Sequence, residues 1–164
     1  MVVRLSELGE AFVEDHQHLT RGLNNILEAL HRSDLQGAAQ MAGELDIIAG
    51  PHIQFEEEVL YPVVAKECGQ EFVNKLYHEH QMGKDALKIL GQYQEGKTDS
   101  AQKLTPLIEN LEIALDHVLS CGTLLSHVTN LDEQTQEEML KKLQKCHSQK
   151  KCWTELPAHD AVSE

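Results

Sequence analysis

Apolar side chains recur along this chain at alternating steps of three and four, the spacing that gathers them on one face of an α-helix. The first such stripe is Phe12, Leu19, Leu23, Ile26 and Leu30. The alternation closes only when His16 is counted between Phe12 and Leu19, which turns that imidazole toward the core. Ser6 is placed to cap this helix, which is expected to run to about His31. Ser33-Asp34 caps a second helix, with Leu45, Ala49, His52, Glu56, Val59 and Val63 in step and an end near Cys68-Gly69. Gly50-Pro51 lies inside it, where a proline is expected to kink the axis. The third helix carries Val73, Leu76, His80, Gly83, Leu87 and Leu90, and a polar turn over 94–100 closes it. The fourth stripe reads Asn110, Ala114, His117, Cys121, Leu124, Val128 and Leu131. Asp132 begins a shorter fifth helix to about Lys145, and the remainder reads as a loosely ordered tail.

Four long helices with short connections predict an all-α, up-down-up-down four-helix bundle with a short fifth helix and a C-terminal tail. The bundle domain is expected over 1–145 and the tail over 146–164. The two halves echo one another: His16 and His52 lie 36 residues apart, His80 and His117 lie 37 apart. Aromatic residues make up only 4% of the chain, so the core must be packed with aliphatic side chains. The net charge of -13 argues against a nucleic-acid partner, whose phosphates would be repelled. No apolar run reaches the roughly 18 residues that span a bilayer, and no membrane partner is expected. Met1 to Ser6 contain no signal-like apolar segment, which predicts a cytoplasmic protein with reduced cysteines.

The candidate chemistry lies in the stripes themselves. Each of the four long helices turns one histidine inward: His16, His52, His80 and His117. Burying four unpaired imidazoles among aliphatic side chains is costly, and a metal ion satisfies all four together. His52-x-x-x-Glu56 adds a carboxylate one helical turn from an imidazole, on the same face. Cys121 falls one turn beyond His117, the register Glu56 holds relative to His52. It is either a small buried hydrophobe or a ligand whose thiolate supplies a negative charge. Cys146, His147, Cys152 and His159 match no tight zinc spacing, and Cys68 reads as structural. Glu7, Glu57 and Glu58 read as surface charge; Tyr61, five residues after Glu56, either approaches the site or packs with its hydroxyl toward the edge. The chain offers no nucleophile–base pair and no glycine-rich phosphate loop.

Asp15-His16, His52-x-x-x-Glu56 with Glu57 and Leu60-Tyr61-Pro62, Glu79-His80 and Asp116-His117 resemble the hemerythrin-like, HHE cation-binding family over about residues 5–145. The resemblance implies a four-helix bundle around a non-haem di-iron centre held by histidines and bridged by carboxylates. It also implies His16, His52, Glu56, His80 and His117 as ligands, and oxygen or another small diatomic as the partner. Where the family carries a carboxylate four or five residues after the fourth-helix histidine, this chain has Cys121 and Gly122. The expected cofactor is therefore iron, two ions per chain, with zinc and manganese as other metals the donors suit. The expected function is sensing or redox response. The alternatives are a redox enzyme acting on peroxide or nitric oxide, and iron storage or delivery. A thiolate ligand is open to oxidation, which argues against long-lived oxygen carriage.

Overall fold

Ser6 accepts a hydrogen bond from the Gly9 N–H and opens α1 (Glu7–His31). The chain turns at Ser33, and Asp34 accepts from the Gly37 N–H to start α2 (Leu35–Phe55). A π-helical turn (Glu56–Leu60) follows directly and leads into α3 (Tyr61–Cys68). Gly69, at φ 91°, is the whole connection to α4 (Gln70–Gln94); this left-handed backbone suits glycine, which has no Cβ to clash. After it come α5 (Leu104–Ser120), a 3₁₀ turn (Cys121–Leu124) and α6 (Leu125–Thr129). Asp132 caps α7 (Glu133–Gln149) through the Thr135 N–H. The computed structural model describes residues 6–94 and 104–159, so most of the turn expected over 94–100 lies outside the described residues.

The four-helix bundle is present, with α1, α2, α4 and α5 as the four long walls, each packed on its neighbours in a ring. No strand occurs among the described residues, and no helix in them is long and apolar enough to cross a membrane. Two expected helices prove to be interrupted. The second is broken by the π turn, one turn past Pro51. The fourth tightens to 3₁₀ geometry at Cys121. Both irregularities fall at the same level of the bundle.

That level separates two apolar clusters. One gathers Leu19, Leu23 and Ile26 with Ala49, Leu87, Leu90 and Leu111; the other gathers Leu8 and Phe12 with Phe55, Leu60, Val73 and Leu124. The four inward histidines and Glu56 belong to neither and lie where the two clusters meet.

The tail departs from expectation. α7 runs to Gln149, past Lys145, and Lys150 then takes the left-handed conformation that turns the chain back along the bundle. Trp153 is 1% exposed, in a 3₁₀ turn (Trp153–Glu155), and it joins the first cluster with Leu156. Thr154 donates to Asp46 twice, from its N–H (2.8 Å) and its hydroxyl (2.7 Å). Lys84, 3% exposed, donates to the Leu156 carbonyl oxygen at 2.7 Å. Two glycines make room for this crossing. A Cβ at Gly50 would overlap the Lys151 carbonyl oxygen, and one at Gly83 would lie 2.5 Å from the Trp153 ring. The segment therefore completes the core, because a buried indole holds it more firmly than its local sequence suggests. Truncating such a side chain costs about 3–5 kcal/mol.

Candidate metal centre

Glu56 is the hub. Its carboxylate is buried at the start of the π turn, with one oxygen toward each half of the bundle. Oε1 meets the Nε2 atoms of His52, in a short contact, and of His16, at 3.4 Å. Oε2 meets Nε2 of His80 at 3.3 Å and of His117 at 3.9 Å. The two sides thus take one ring each from α1 and α2, and one each from α4 and α5. The internal echo in the sequence becomes a pseudo-twofold arrangement about one carboxylate.

Each ring is held from behind through Nδ1. His16 donates to the Phe12 carbonyl oxygen (2.8 Å), His52 to Asp15 (3.2 Å), His80 to Glu57 (3.0 Å) and His117 to Glu79 (3.4 Å). These acceptors bind each ring at Nδ1 and turn its Nε2 inward, toward Glu56. His16 Nε2 is buried without any hydrogen-bond partner.

Burial and neighbouring charge oppose one another here. Burial disfavours a charged His52, yet Glu56 and Asp15 outweigh it and lift the imidazole to about 9. His117 is likewise raised against burial, by Cys121, Glu56 and Glu79. His16, penalised by burial and by the neighbouring His52, falls to about 4. Burial pushes the Glu56 carboxyl up, but His52 and the surrounding rings hold it well below the usual range. Without a metal, protons on His52 and His117 supply positive charge beside Glu56. A cation would supply it directly, and the nitrogen, carboxylate and sulfur donors present fit a transition metal.

Two groups of donor atoms lie within 4.8 Å of one another: His16 with Glu56 and Cys121, and Glu56 with His80 and His117. His52 belongs to neither group but touches Glu56 directly. Cys121 is 1% exposed, with Sγ 3.3 Å from His117 Nε2, so it faces both halves. Burial, and then the charge on Glu56, push its thiol up to about 11. All six side chains singled out from the stripes meet at this level.

One expectation fails: Glu57 is buried, not surface charge; it accepts from His80. Of the two readings of Tyr61, the approach to the site holds: its hydroxyl donates to Glu56 Oε2 at 2.7 Å in the middle of the site. The place of Tyr61 follows from the π turn. The Tyr61 N–H bonds to the Glu56 carbonyl five residues back, which stacks position 61 over position 56. In a regular α-helix, residues five apart would diverge by about 140°. Asp15 and Glu79 were visible only as neighbours of His16 and His80; each serves a ring on another helix. Among the described residues, no metal-holding group includes Cys146 or Cys152; His147 turns to Asp15, and His159 to Glu57 at 3.1 Å.

A groove of about 440 Å³ opens between α1 and the junction of α5 with α6. Phe12, Val13, Val118, Leu119 and Leu125 line it, and His16 is part of its wall. It gives the His16 side of the site an apolar approach from solvent.

Comparison with curated proteins and with solved structures gives no match. The family description "Hemerythrin HHE cation binding domain" matches residues 8–120, from the first turn of α1 to the residue before Cys121. With most of its length matched and a buried His/Glu cluster at its centre, the chain belongs to the hemerythrin HHE cation-binding family.

Proposed function

We propose that this chain is a non-haem iron protein with two metal positions that share Glu56. His16, His52 and Cys121 serve one position, His80 and His117 the other. The observation that carries this reading is the convergence of four Nε2 atoms on one buried carboxylate, every ring held from behind by an acceptor. Zinc and manganese suit some of the same donors, and iron is favoured by the family.

The ligand we propose is oxygen or another small diatomic, bound for sensing or redox response. Iron held here supplies electrons and open coordination for such a ligand. The chain supplies the rest. Asp15, Glu57 and Glu79 orient the rings. The apolar clusters above and below exclude water. The groove beside His16 suits a neutral guest better than a charged one. A second reading, redox chemistry on a peroxide or nitric oxide, is favoured specifically by Cys121. A thiolate in this position is electron-rich and oxidisable.

Metal analysis of protein purified from iron-rich growth tests the proposal, with optical spectra in air and under reductant. About one to two iron atoms per chain and a spectrum that changes on reduction are expected. Zinc alone, or no metal, refutes it.

A further inference from the structure

The Tyr61 hydroxyl is set among the donor atoms of the site. Its oxygen has three polar neighbours: Glu56 Oε2 at 2.7 Å, His80 Nε2 at 2.9 Å and His117 Nε2 at 3.3 Å. The single proton serves the carboxylate. The other two neighbours are ring nitrogens whose Nδ1 atoms bond to Glu57 and Glu79 on the far side. All three contacts converge on one phenol oxygen, in a place with no solvent exposure. The three neighbours are the carboxylate oxygen and the two nitrogens that define the second metal position.

The phenol is held there by more than these contacts. The π turn aims it, and its ring stacks on His80 with centroids 5.3 Å apart. Tyr77 packs edge-on against its other side at 5.1 Å, with its own hydroxyl committed to the Glu57 carbonyl oxygen.

We propose that Tyr61 is a metal ligand, its phenolate oxygen completing the position formed by Glu56, His80 and His117. This inference rests on the two-metal reading above. On coordination the oxygen–metal bond replaces the O–H bond, and the proton leaves to solvent. Phenolate is a hard anionic donor with a known place on iron. It adds a second negative charge beside Glu56, on the side of the site away from the groove.

The test uses full-length protein reconstituted with ferrous iron and oxidised with ferricyanide. Visible absorption and resonance Raman spectra are recorded for wild type, Tyr61→Phe, Tyr77→Phe and Cys121→Ser. Wild type should show a phenolate-to-iron band with enhanced ring vibrations. These should persist in Tyr77→Phe and Cys121→Ser and vanish in Tyr61→Phe, whose iron content should fall toward one per chain. Wild type grown on ring-deuterated tyrosine should shift the same vibrations, which keeps the test valid if Tyr61→Phe misfolds. Iron at full content without phenolate vibrations overturns this assignment alone. No bound iron in wild type overturns it together with the reading it rests on.

Discussion

Replacing Gly83 with alanine isolates the role of the C-terminal crossing, because two effects of opposite sign meet at that position. Alanine in a helix interior is favoured over glycine by about 0.5–1 kcal/mol. Against this, a Cβ at Gly83 would lie 2.5 and 2.8 Å from two atoms of the Trp153 ring and 3.1 Å from the Ala114 Cβ. The indole is buried and cannot swing into solvent, and overpacking of this kind costs about 1–3 kcal/mol. The cost prevails, with a net loss of about 1 kcal/mol, equivalent to about 2–4 °C in Tm for a chain of this size. Gly91, in the same helix, is the control: a Cβ there meets nothing within 4 Å. Gly91→Ala should therefore raise Tm by about 1–3 °C. Thermal unfolding followed by circular dichroism reads both variants. Trp153→Phe, with its smaller ring, should reduce the penalty of Gly83→Ala in a double-mutant cycle. Equal stabilisation by Gly83→Ala and Gly91→Ala would refute the docking of Trp153 on α4.

Two further predictions concern the site. Cys121→Ser should abolish any sulfur-to-metal absorption band, and Cys121→Glu should restore a carboxylate one turn beyond His117; identical spectra and metal content in all three forms would show that the thiol only packs. Glu57→Gln keeps the volume but removes the charge behind His80, and should weaken metal retention about 10–100-fold. Chelator competition measures this, and unchanged retention would show that Glu57 does not act through the ring.

The sequence alone determined the bundle and the set of side chains at its centre. Both depend on a periodicity that survives small irregularities. His16, His52, His80 and His117 each sit in an apolar stripe, and a stripe must face inward wherever the helices dock. Cys121 was legible for the same reason, since one turn beyond His117 still points inward in the 3₁₀ geometry found there. What the tertiary structure decided lies where that periodicity fails or where contacts are remote. Stepping by 3.6 residues carries Tyr61 away from the face of Glu56, and the π turn brings it back, while Glu57 is buried by a ring from another helix. A single π turn leaves no mark in a hydrophobic pattern, because its stabilisation comes from what the redirected side chains meet. The partners of Asp15 and Glu79 lie on other helices, so no local spacing announces them. The tail was obscured by its charge and its lack of periodicity. Gly50 and Gly83 were its trace in the sequence, two missing side chains inside long helices, Gly83 on the apolar stripe itself. Their reason became visible only when Lys151 and Trp153 were found lying across them.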